Sequence, residues 1–251
     1  NGLKWHAGGH MVYNPVFAFE DFFPDRVEEN YDFYGWVDET YVDIGKGNWE
    51  FRLGRQHIIW GEVVGLFFAD VVSALDLREF VLPDFDLIRI PQWAARAEYF
   101  AGDYYLDFIY VPVVTADQIG EPGGDYYGFP PPPAQPGVLP VYLDADKPDL
   151  DVESGGFGVR GAYIKDGWDL AAFFYSSIDH SAAFERTVTP GPGPLATATY
   201  RPNHERIHQF GGTLAKDFGD FVLKSEAVYT LDRRYAVRDL TDADGLSEQN
   251  E

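Results

Sequence analysis

Apolar and polar residues alternate along much of this chain with a period of two, as in strands that keep one face wet and the other in apolar surroundings. Trp93, Ala95, Ala97 and Tyr99 interleave with Gln92, Arg96 and Glu98. After Gly102-Asp103 the pattern resumes in Tyr104, Leu106, Phe108 and Tyr110, and so short a join predicts a tight hairpin. The same unit recurs where residues 157–163 and 168–174 flank Asp166-Gly167, a strong two-residue turn signal. It recurs again where residues 204–216 and 221–231 flank a turn at 217–220, and where 31–44 and 49–56 flank Gly45, Lys46, Gly47 and Asn48. Four hairpins give eight strands, and residues 3–13 supply a weaker ninth.

Between the hairpins lie long connections at 61–91, 112–155 and 178–203, with a tail starting after Val237. Tight turns alternating with long loops predict an all-β fold, an antiparallel up-and-down transmembrane β-barrel with short periplasmic turns and long extracellular loops. The whole of 1–251 reads as a single barrel domain. Structureless loops of this length are uncommon in compact soluble domains, which counts against a β-sandwich. The uneven strand count and the polar ending Ser247-Glu248-Gln249-Asn250-Glu251 lead us to expect a partial barrel continuing to about 14 to 18 strands. The absence of Met at Asn1 likewise suggests processing or truncation.

Composition agrees with strands. Aromatic residues are 17%, Cys is absent and Gly (26) and Pro (17) supply turns. No apolar run approaches the roughly 20 residues of a transmembrane helix, and mean hydropathy is only -0.25. Lipid-facing and lumen-facing residues average out in a barrel, so this value leaves one open. A net charge of -22 excludes nucleic acid as a partner, since phosphate contacts need a basic surface. It favours divalent cations at acidic loops, beside outer-membrane lipid and lipopolysaccharide. Trp36, Trp49, Trp60, Trp93, Tyr104, Tyr105 and Trp168 fall near strand ends, where rings sit at membrane interfaces; filling a soluble β core is the alternative.

One stretch resembles a known group. Arg52-Leu53-Gly54-Arg55-Gln56, then Trp60-Gly61, Asp70-Val71-Val72, Leu75-Asp76-Leu77-Arg78-Glu79-Phe80 and Arg89-Ile90-Pro91-Gln92-Trp93 resemble a family of uncharacterised, porin-like Gram-negative outer-membrane proteins. The resemblance covers roughly residues 31–115 and departs at Ser73-Ala74, where Asn-Pro is common in the family. It implies export or passage of small or hydrophobic compounds, with a periplasmic or inner-membrane exporter as partner, and it brings no catalytic residues.

The candidate pore-lining residues are Arg52, Arg96, Glu98, Asp107, Arg160, Lys224 and Glu226, charges that a lipid face would take only at a cost of about 2–4 kcal/mol for a midplane Arg or Lys. Structural cross-strand pairing is the other reading of the same set. In the 61–91 loop, apolar spacing predicts a short helix over 67–80 whose Asp70, Asp76, Arg78 and Glu79 give it a charged face. Such a helix narrows the pore or packs over the rim. The 112–155 loop is acidic and Pro-rich, with a stiff Pro130–Pro133 run and Asp117, Glu121, Asp125, Asp144, Asp146, Asp149, Asp151 and Glu153. It lacks the Gly and distal Glu of an EF-hand, which leaves solvated acids as the plainer reading. His204 and His208, four apart on a strand, are too far apart to share a metal. Ser176, Ser177, His180 and Ser181 form the one Ser/His cluster suited to nucleophilic chemistry. No enzyme and no cofactor is expected. Two functions follow: an outer-membrane channel, or a secreted β-sandwich that binds glycans through exposed aromatics.

Overall fold

The computed structural model describes residues 2–63, 68–79, 88–121, 123–125, 137–143, 154–192, 195–237 and 244–251. Nine strands form one sheet: β1 (Gly2–Tyr13), β2 (Phe33–Lys46), β3 (Trp49–Gln56), β4 (Gln92–Ala101), β5 (Tyr104–Val111), β6 (Gly156–Lys165), β7 (Trp168–Ile178), β8 (Arg206–Asp217) and β9 (Val222–Leu231). Each pairs antiparallel with its neighbours in chain order. The chain is therefore all-β, a meander whose eight strongly patterned strands and weaker ninth all form.

Four connections are tight and share one end of the sheet: 47–48, 102–103, 166–167 and 218–221. At Asp166 and Gly167 both φ values are positive, +51° and +74°. That left-handed pair matches the twist of the flanking strands, which is why Asp-Gly works there. The long connections gather at the other end. One, 14–32, holds a 3-10 turn (Pro15–Ala18) and an α-helix (Asp25–Tyr31), so Tyr31 ends a helix rather than opening β2.

Three of the long segments carry more order than their patterns suggest. The stretch 178–203 contains a hairpin, Ala183–Pro190 with Ala196–Asn203, and Val138–Tyr142 from the 112–155 loop pairs parallel to it. The helix expected over 67–80 is absent among the described residues: Ala74–Leu77 is a strand between Arg89–Ile90 and Gln118–Ile119. Phe67, Phe80, the Pro130–Pro133 run, Asp144, Asp146, Asp149, Asp151 and Glu153 lie outside the described residues. Tertiary pairing overrides a weak helical period here. Val71 and Val72 are β-branched and buried, and Leu75 N–H donates to Asp117 Oδ1 at 2.8 Å, a partner a helix would not use.

The sheet curls. Glu39 on β2 accepts from His57 N–H at 3.1 Å, and Glu226 on β9 accepts from Glu62 N–H. In a flat sheet β2 and β9 would stand about 34 Å apart, whereas five residues of extended chain cover at most about 18 Å. Side chains stand perpendicular to a sheet rather than along it, so only curvature brings both strands to residues 57–62. The edges β1 and β9 do not pair with each other. Beyond Leu231 the chain makes a small hairpin (Arg233–Ala236 with Leu246–Gln249), and Glu251 then exchanges both backbone hydrogen bonds with Thr230 of β9.

Candidate functional site

The two faces of the sheet differ sharply. One carries Trp5, Met11, Tyr13, Val42, Leu53, Trp93, Leu106, Phe108, Tyr110, Phe157, Leu170, Phe210 and Tyr229, all exposed. The other, concave face carries the charges. Parity along paired strands explains this: Glu98 faces Asp107, Asp107 faces Arg160, and Thr213 faces Glu226 across their ladders, so each shares the concave side.

All seven predicted lining residues sit on that concave face, and each has a partner. Arg52 donates to Asp43 from Nε at 2.7 Å and Nη2 at 3.0 Å. Asp107, fully buried, accepts from Arg96 Nε at 3.0 Å, Arg96 Nη2 at 2.9 Å and Trp60 Nε1 at 3.0 Å. A buried carboxylate needs that many donors, because desolvating it alone would cost several kcal/mol or more. Tyr105 Oη accepts from Arg96 at 2.8 Å and donates to Glu98 at 2.7 Å, closing the group. Arg160 and Lys224 lie 3.8 Å from the two carboxylate oxygens of Glu62, and Lys224 Nζ also donates to the Glu62 carbonyl at 2.8 Å.

Residues 57–63 and 68–73 form a strap across this face. Glu226 is its latch, accepting from the backbone N–H groups of Glu62, Val63 (2.6 Å) and Ala69 (3.2 Å). Ile58, Trp60, Ala69, Val71 and Val72 pack with Ala94, Ile109, Val111, Phe173 and Tyr175 of the wall in one apolar cluster. Gly158 makes room for it: a Cβ there would stand 2.8 Å from the Trp60 ring. Below the latch, an open cavity of about 520 Å³ includes Tyr105, Ala162, Ala171, Thr213 and Glu226 in its lining.

The four predicted constriction residues separate. Asp70, expected to face water, is buried and ion-paired with Arg89; burial raises its carboxyl pKa despite the opposing pull of Arg89. Asp76 and Arg78 pair with each other at 2.6 Å, and Glu79 is exposed. Asp117 and Glu121, read as solvated loop acids, hold chain together instead. Asp117 accepts from Ser181 Oγ at 2.6 Å, and Glu121 pairs with Arg26 at 3.0 Å. Ser176 accepts from Arg206, His180 contacts the Thr115 carbonyl, and His204 contacts the Asp179 carbonyl away from His208.

The aromatic set divides as well. Trp49, Trp93, Tyr104 and Trp168 lie on the exposed apolar face, but Trp36, Trp60 and Tyr105 are on the concave one. Trp60 follows β3 into the strap, and Tyr105 is one residue out of phase with Tyr104. Trp36 shares parity with Tyr34 and Asp38. A bulge opposite Gly8 then sets Asp38 and Glu39 on the same side, which single-strand alternation conceals.

Fold and site thus define an all-β protein built on one curled antiparallel meander, apolar outside and charged within, with its own strap docked on the inner face. The chain belongs to the family described as Protein of unknown function (DUF1302), whose profile matches residues 20–249. No curated protein matches the chain.

Proposed function

We propose that this sheet is the wall of a bacterial outer-membrane β-barrel channel that passes or exports small compounds, hydrophobic ones among those the family resemblance implies. One observation carries the reading: nine paired strands expose a continuous aromatic and aliphatic face while their opposite face is charged. Water-soluble monomers rarely expose an apolar patch of more than a few hundred Å², whereas lipid requires one. A glycan-binding sandwich would cover that face with a second sheet, and among the described residues nothing packs there. In lipid the edges of β1 and β9 have to be paired, so the reading requires closure into a barrel. The tight turns then lie at the periplasmic rim, the long connections outside, and the strap narrows the lumen.

The test is fractionation followed by conductance. The protein should partition with outer-membrane detergent extracts, shift on a gel upon heating, and conduct ions in a planar bilayer. A salt gradient should reveal cation preference, as the charge of -22 favours. Recovery as a soluble monomer without detergent would sink the proposal.

A further inference from the structure

Ring side chains that remain open on the concave face are concentrated on β1 and β2. Elsewhere on that wall, Phe173 and Tyr175 are buried under the strap, Tyr105 is tied to Arg96 and Glu98, and Phe100, exposed at the tight-turn end, packs among the described rings against Tyr105 alone. On β2, Tyr34, Trp36 and Tyr41 are half-buried. Tyr34 and Trp36 have centroids 5.7 Å apart and nearly parallel rings. His10 of β1 lies 5.2 Å from Trp36, and His6 lies 5.3 Å from Tyr41. The row runs along the strands for about 20 Å.

Polar groups punctuate it. Asp38 and Glu39 stand between Trp36 and Tyr41, with Asp38 3.3 Å from His10. The Arg52 guanidinium lies 3.9 Å from the Tyr41 ring centre and that of Arg78 4.4 Å from Tyr34, which pins both rings in place. Each guanidinium gives Nε and Nη2 to one carboxylate, Asp43 or Asp76. A guanidinium has five N–H donors, and among the described residues Nη1 of each makes no hydrogen bond to the protein, which leaves it to reach a ligand beside the ring.

We infer that this row is a binding track for oligosaccharides. A pyranose offers an apolar C–H face and an equatorial rim of hydroxyl groups that both donate and accept. Trp36 answers the C–H face, while the carboxylates and the guanidinium groups that already lie over the Tyr34 and Tyr41 rings answer the hydroxyl rim; a purely hydrophobic solute would leave the charges unused and a simple cation would not need the donors. The inference rests on the channel reading only in placing the track inside a lumen.

The experiment titrates purified protein in detergent with malto-, cello- and chito-oligosaccharides, from monosaccharide to hexasaccharide, by calorimetry. Affinity in one series should rise with length, and Trp36→Leu or Tyr41→Leu should each weaken it about tenfold or more. Tyr110→Phe, on the opposite face, should change nothing. Retained heat-modifiability shows that the variants fold; Asp38→Asn, which keeps every ring, should weaken binding independently. No binding in any series, binding indifferent to Trp36 and Tyr41, or binding of tetramethylammonium in preference to every saccharide overturns the inference. A protein that conducts but binds no saccharide loses the track and keeps the channel. One that binds through Trp36 and Tyr41 yet never conducts keeps the track and loses the channel.

Discussion

Replacing Glu226 with Gln isolates the latch on the strap. Its two oxygens accept three backbone N–H bonds, from Glu62 and Val63 at Oε1 and Ala69 at Oε2. Hydrogen bonds to a charged group contribute about 1.5–3 kcal/mol each where buried. Glutamine keeps one acceptor oxygen for Glu62 and Val63 at neutral strength, and it turns an NH2 toward Ala69 N–H. Glu226 is only half-buried, so we expect a loss of about 2–4 kcal/mol from strap docking, a shift of roughly 30- to 1000-fold in the docked population. The Trp60 bond to Asp107 and the apolar cluster remain, so the nine-stranded sheet should keep its thermal stability. Amide hydrogen exchange of residues 57–63 and 68–73 in detergent should accelerate while β4 to β7 stay protected, and on the proposed channel reading bilayer conductance should rise. Unchanged protection of Glu62, Val63 and Ala69 would refute the argument, since those amides are the ones released.

Three further outcomes follow from the same geometry. Phe108→Arg, at the middle of β5 on the apolar face, should cost about 2–4 kcal/mol if that face meets lipid and reduce the heat-modifiable form; normal assembly would argue for water there. Gly54 adopts φ +132°, and a Cβ would stand 2.3 Å from the Thr40 carbonyl oxygen, so Gly54→Ala should destabilise by about 1–3 kcal/mol in denaturant unfolding, and a neutral effect would show that β2 and β3 can separate cheaply. Burial raises the Asp70 pKa, so the folded state holds that proton better than the unfolded chain. The contribution of this group is then greatest below the ordinary carboxylate range and fades as pH rises through the raised value. Thermal unfolding of Asp70→Asn should lack that part of the pH dependence, and identical slopes in both proteins between about pH 4 and 7 would contradict it.

Local pattern carried the architecture because a strand's side-chain period is fixed by its backbone. Alternation in 92–99 and 104–110, with Gly102-Asp103 between them, already implies β4, β5 and their turn, and the same alternation assigns Arg96, Glu98, Asp107 and Glu226 to one face. What the chain alone leaves open is everything made by residues far apart in sequence. Glu226 and Glu62 meet only because the sheet curls, Asp70 and Arg89 meet only because the connection between β3 and β4 folds back on itself, and no local period records either. Trp60 reads as an interfacial ring until Asp107 and the notch at Gly158 give it an interior place. The 67–80 segment shows the same limit: its weak helical spacing yields to pairing partners supplied by 89–90 and 118–119. Strand identity and facing were thus properties of the sequence, set by backbone geometry and turn residues. The strap, its latch and the aromatic row belong to the tertiary structure, because curvature and one β-bulge decide which side chains share the enclosed face.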